Sequence, residues 1–238
     1  MAGPLHETSI TWMRRVYACW VHDGLLTLEG TEQMTDSLIR MSLGSTLWNS
    51  LVYTNDLIVH KNFVGVFAGS GKTADLAYTP IINGIRREFP TVVLESGWSE
   101  AQVQLHRNAQ VWLEGSAGAV KVVLLFKMFL ENIRNEIKAK LYVCRLLAGE
   151  LDVTRYACSS LPCYYLSYIL LTDPLTLQKI FPGSASPVTD PHITAKELFD
   201  GRPPEDMQGR TKLPLSLEKL RRAAREEILQ QGHIPMLG

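Results

Sequence analysis

The chain has 238 residues, 46% of them hydrophobic, with 24 basic and 24 acidic side chains. That apolar share supports one sizeable core, and the zero formal net charge excludes a global field drawing the protein to nucleic acid or an anionic membrane, so any such site is local. Cys19, Cys144, Cys158 and Cys163 form no Cys-x-x-Cys pair, which argues against a zinc site and for free thiols. The N-terminus lacks the basic start and apolar block of a signal peptide, and the longest apolar runs, 120–130 and 163–171, are too short or broken by lysine to cross a bilayer. The expectation is a soluble intracellular protein with no membrane partner, its compartment and oligomeric state unassigned.

In residues 7–21, Ile10, Met13, Val16, Tyr17 and Trp20 recur at helical spacing, with Arg14 and Arg15 on the other side, which predicts an amphipathic helix. Residues 33–51 repeat the pattern more weakly. The Val, Ile and Phe of 57–68, the turn Gly69-Ser70-Gly71 and the returning segment 72–79 predict a hairpin. Gly71-Lys72-Thr73 also ends like a phosphate-binding loop, but that motif needs its first glycine at 66, where Val66 stands, and Pro80 interrupts the helix that should follow. Residues 81–88 read as a connector.

Thr91 to Glu95 is an apolar strand ending in an acid. Ser99 and Gln102 have capping-box spacing with Trp98 and Val103 as staple, so a helix is predicted from Ser99, burying Ala101, Leu105, Ala109 and Trp112 and ending at Gly115. Residues 120–126 form a second buried strand bracketed by Lys121 and Lys127, parallel to the first through a right-handed crossover. Residues 131–140 read as a charged outer helix, and 141–147, 151–156, 164–171 and 175–181 as further strands. A loop at 182–191, helical turns within 194–199, a polar stretch at 201–212 and a Ser216-capped helix carrying Leu217, Leu220, Ala224 and Ile228 complete the chain. The whole reads as one domain, 1–238, with a core at about 7–128 and an extension at about 141–238.

Glu95 is the first functional candidate, because a carboxylate ending a buried strand either shifts its pKa or finds a cation. The bland reading is an acid placed favourably before a helix N-terminus. For Asp75 it is a solvated edge carboxylate, and for Arg107 a solvated helix residue. The arginines 221, 222 and 225 are interleaved with Glu218, Glu226 and Glu227, as on a solvated face.

Asp75 on one strand, Glu95 on the next, the helix after it and the strand beyond resemble the PD-(D/E)XK nuclease-like superfamily. The phrases Phe89-Pro90-Thr91-Val92-Val93-Leu94-Glu95, Gly97-Trp98-Ser99-Glu100 and Trp112-Leu113-Glu114-Gly115 are similar to its fungal members. The resemblance implies an α/β fold with a central mixed sheet flanked by helices: a restriction-endonuclease-like αβββαβ core with added C-terminal strands and a C-terminal helix. It also implies Mg²⁺ held by Asp75 and Glu95, phosphodiester hydrolysis of nucleic acid, and a nearby cation. The family places that cation as a lysine two residues past the second acid, where this chain has Gly97. Arg107, Lys72 and Lys121 are the candidates to replace it. The alternative is a catalytically inactive module binding nucleic acid or protein on the same fold.

Overall fold

A computed structural model describes residues 4–26, 50–54, 58–98, 101–130, 134–146, 177–181, 189–204, 207 and 212–236. Among these, eight strands join in one mixed sheet whose main path runs β1 (Ser50–Thr54), β2 (Leu76–Ile82), β4 (Val92–Gly97), β5 (Val122–Leu130), β6 (Glu136–Arg145), β10 (Ile234–Pro235). The short β3 (Ile85–Arg86) pairs with β2, and β7 (Leu177–Phe181) with β6. β2 runs antiparallel to both of its neighbours, β1 and β4, whereas β4 and β5 are parallel, as expected from the intervening helix α2 (Gln102–Leu113).

Helices cover both faces, and strand alternation decides which side chain meets which. Leu76, Tyr78, Val92, Leu94, Leu124 and Phe126 pack against α1 (Pro4–His22) and α4 (Leu217–Gln230). Ala77, Val93, Val123 and Leu125 point the other way, onto Leu105, Ala109, Trp112 and Leu113 of α2. The buried indoles of Trp12 and Trp20 donate to the carbonyls of Ser216 (2.9 Å) and Pro214 (2.8 Å), so α1 is fastened to the chain leading into α4. Ser216 caps α4 by accepting from the Lys219 amide, as its sequence predicted. A second, two-stranded sheet, β8 (His192–Thr194) with β9 (Lys212–Pro214), brackets α3 (Ala195–Leu198).

Several expectations are corrected. Residues 58–71 form a loop with one 3-10 turn, Gly65–Phe67, and a single bridge from His60 to Lys72; the strand partner of β2 is instead β1, at the end of the stretch read as a second helix. The apolar residues of that loop serve as a cap, Phe63 reaching Trp112 while Val64 and Val66 stay exposed. The segment 81–88 is a tight hairpin: Asn83 and Gly84 both hold positive φ (53° and 72°) between β2 and β3, the Asn-Gly pattern of a two-residue turn.

The expected outer helix at 131–140 is a strand from Glu136 onward. Ile137, Ala139, Leu141 and Val143 alternate with Lys138 and Lys140, a period of two that serves one buried face. Helix α2 begins at Gln102, and Ala101 at its N-cap makes no side-chain cap bond, so the Ser99 capping box is not how the described helix starts. The expected strands at 151–156 and 164–171 lie outside the described residues.

Candidate functional site

Glu95 is the fourth residue of β4, opposite Leu125, and shares the α2 face with Val93. It is 5% exposed. A carboxylate so placed needs partners, since burying the charge alone costs more than the fold can supply. Trp112 Nε1 donates to Glu95 Oε1 at 2.5 Å, and Lys72 Nζ lies 3.5 Å from the same oxygen.

Lys72 is delivered by two backbone hydrogen bonds exchanged with His60, at 2.8 and 2.9 Å. His60 in turn stacks on Phe89 and meets the edge of Trp112, while Phe63 packs on both. These four rings form one cluster, joined to the carboxylate through Trp112. The loop packs closely on the end of α2, because a Cβ on Gly115 would sit 3.0 Å from Phe63 and 3.1 Å from Phe67. Burial lowers the His60 pKa, and Arg86 adds to this, against the raising effects of its hydrogen bond to the Glu88 backbone and of the Glu88 charge.

Asp75 precedes β2 by one residue. Because Leu76 pairs with Leu94, continuing the register sets Asp75 beside Glu95. Its carboxylate nevertheless turns away. Asp75 Oδ2 accepts from the Ser96 amide at 2.6 Å, ending the β2–β4 ladder, and lies 3.1 Å from Nε2 of His6 on α1. Ser96 Oγ donates to the His6 carbonyl at 3.2 Å, so this group staples α1 to the end of β4. The two acids are neighbours in sequence position across the strands, but one is tied to α1 and the other to α2 and Lys72.

The other predicted cations stand apart. Arg107 is exposed on α2, five residues and about 140° around the helix from Trp112. Lys121 precedes β5 by one residue and binds Asp200 (3.1 Å) and the Gly118 carbonyl (2.7 Å), with Arg87 on the same aspartate at 2.9 Å. It lies four residues, about 13 Å of strand, from the level of Glu95.

Lys127, noted in the sequence as bracketing the strand but not as a site candidate, is the lone lysine within Val-Val-Leu-Leu-Phe-Lys-Met-Phe-Leu. It sits opposite Gly97 in the β4–β5 register and is 4% exposed. A Cβ on Gly97 would be 3.4 Å from both Lys127 Cδ and Leu105 Cδ2, so the lysine stem and a leucine fill the space the glycine leaves. Its ammonium donates to the Trp98 carbonyl at 2.6 Å.

Magnesium, which the family resemblance implies, takes oxygen ligands at about 2.1 Å in near-octahedral order. Glu95 Oε1 already accepts an indole N–H and faces an ammonium, while Asp75 Oδ2 is held by Ser96 and His6. Among the described residues no three His, Cys, Asp or Glu side chains converge. As arranged, one oxygen of each acid is committed to a protein partner. The described residues also contain no helix long and apolar enough to cross a membrane.

The chain matches no protein-family model, and no curated protein and no solved structure is significantly similar to it.

Proposed function

We propose that the chain is a PD-(D/E)XK nuclease-like protein that binds nucleic acid without hydrolysing it. The order α1, β1, β2, β4, α2, β5, with three antiparallel strands and the last parallel to its neighbour, supports an αβββαβ core of the restriction-endonuclease type. The observation that carries the loss of hydrolysis is the Glu95 carboxylate, buried, paired with the Lys72 ammonium and hydrogen-bonded by the Trp112 indole. A carboxylate spent on an internal ammonium and an indole holds the fold together at the point where a nuclease would hold its metal.

One observation favours hydrolysis as a second reading: Asp75, one residue before β2, sits in register beside Glu95 on β4, and Lys127 occupies the space over Gly97. The two readings separate in one assay. Labelled DNA and RNA oligonucleotides, single- and double-stranded, are incubated with the protein in Mg²⁺ or Mn²⁺ and, in parallel, titrated in EDTA. Retention of oligonucleotide in EDTA with no product above that of the Glu95→Gln variant is expected. Cleavage that requires the metal and disappears in Glu95→Gln would establish the second reading, and absence of both binding and cleavage would reject nucleic acid as the ligand.

A further inference from the structure

On the solvent side of the two helices that cover one face of the sheet, a thiol and an amine meet. Lys219 Nζ, in the first turn of α4, donates to the Cys19 sulfur on α1 at 2.6 Å. That is inside the about 3–3.5 Å at which reacting atoms are held in a productive pair. Both backbones are fixed close by. Trp20, the residue after Cys19, is buried and donates to the Pro214 carbonyl. Ser216 accepts from the Lys219 amide through its side chain and from the Trp12 indole through its carbonyl. The packing of α1 on α4 therefore sets the separation, and the lysine stem is the part left to adjust.

The pair is open to small solutes, because Cys19 is half-buried and Lys219 exposed. Cys144 is a contrast: burial pushes its thiol up to about 12, so it is inert at neutral pH. The Lys219 ammonium is held above its ordinary range, chiefly by the hydrogen bond to the Cys19 sulfur, with the Cys19 and Asp23 charges adding to this against burial and Arg222. It is a proton donor placed at the sulfur.

We propose that Cys19 and Lys219 form a peroxide-responsive strap, a reversible sulfur–nitrogen bond between α1 and α4. A thiol reacts as its thiolate. The Cys19 sulfur attacks one oxygen of hydrogen peroxide and the O–O bond breaks; the sulfur is oxidised to sulfenic acid, and the departing hydroxide takes a proton from the Lys219 ammonium and leaves as water. Sulfenic acids condense with nitrogen as they do with thiols. The Lys219 amine just released attacks the sulfenic sulfur, the S–O bond breaks as the S–N bond forms, and the second hydroxide leaves as water with a proton from the nitrogen. Two equivalents of a reducing thiol restore the Cys19 thiol and the Lys219 amine and become a disulfide. The bridge joins residues 200 apart in the chain, so it restricts the unfolded state far more than a fold in which the two helices are already fastened together. The strap does not depend on the nucleic-acid reading above.

The test treats the intact, reduced chain with a small excess of hydrogen peroxide and follows it by intact mass, tryptic mapping and urea denaturation, each sample against its own reduced form. The expected product is two hydrogens lighter than the reduced chain, holds the Cys19 and Lys219 peptides linked, resists trypsin after Lys219 and returns to the reduced mass in dithiothreitol. Its urea midpoint should rise and fall back with the reductant. Lys219→Arg keeps a cation beside the sulfur but has no amine to condense. Its Cys19 should stop at sulfenic acid, captured by dimedone, with no linked peptide and no rise in midpoint, and Cys19→Ser should show neither adduct nor link. An unreacted Cys19, a two-hydrogen loss that maps to a pair of cysteines, or a dimedone adduct on Cys19 as abundant in the parent as in Lys219→Arg overturns the bond. Linkage that leaves the midpoint unchanged overturns its action as a strap.

Discussion

The two faces of the sheet are built to different rules. On the α1–α4 side the strands offer Leu76, Val92, Leu94, Leu124, Phe126 and Met128 to two long helices, and the two indole N–H groups of Trp12 and Trp20 buried there have carbonyl partners. On the α2 side one helix covers a smaller core, into which Glu95, Lys72, His60 and Lys127 are admitted at the edge. An apolar layer stabilises wherever it is dry, whereas a charged group in a core is tolerated only with a partner. The α1–α4 face therefore carries stability, and the α2 face carries the groups able to do chemistry or bind a ligand.

The strongest challenge to this division is Trp12→Ala. Removing a fully buried indole and its bond to Ser216 should cost about 3–5 kcal/mol in urea unfolding. A loss under about 1 kcal/mol would mean that the α1–α4 face is not the stabilising one.

A smaller effect tests the other face. Glu95→Gln removes the carboxylate charge facing Lys72, and Lys72→Met removes the ammonium facing a buried carboxylate; each should cost about 1–3 kcal/mol. The double variant should fall short of their sum by about 1 kcal/mol or more, the signature of a direct interaction. Strict additivity would show that the pair does not couple and would remove the main support for a non-hydrolytic Glu95.

The smallest effect is in pH dependence. His60 and His106, both on the α2 side, have pKa values lowered chiefly by burial, so the unfolded chain binds their protons more readily than the fold does. Stability from this source is complete above pH 6.5 and declines as pH falls from there toward the lowered folded values, by at most about 1.4 kcal/mol per pH unit for each group. His60→Phe should flatten that decline, measured as the urea midpoint between pH 7 and 5; an unchanged slope would place the titration elsewhere.

Local patterns carried much of this architecture. The α1 stripe, the apolar runs of β4 and β5, the α2 stripe and the Ser216 cap all express periodicity or a cap within a few residues, and all were legible. Two further local signals were present but outweighed: Asn83-Gly84 as a hairpin turn, and the alternation of Ile137, Ala139 and Leu141, which the surrounding charges made look like an outer helix. At the candidate site, Glu95 was recoverable because an acid ending an apolar strand is unusual on its own terms. Its partners were not, since Lys72 arrives through a loop bridge 23 residues earlier in the chain and Trp112 through a helix facing back across the sheet.

By itself, then, the sequence determined the α/β character and the strand–helix–strand crossover and singled out Glu95 as a buried acid, because hydrophobic periodicity and an acid in an apolar setting are local facts. Only the tertiary structure decided what Glu95 does. Which face Asp75 turns to, which lysine reaches the carboxylate, and how Lys127 fills the space over Gly97 all depend on contacts between segments distant in the chain, and no spacing along the sequence encodes those distances.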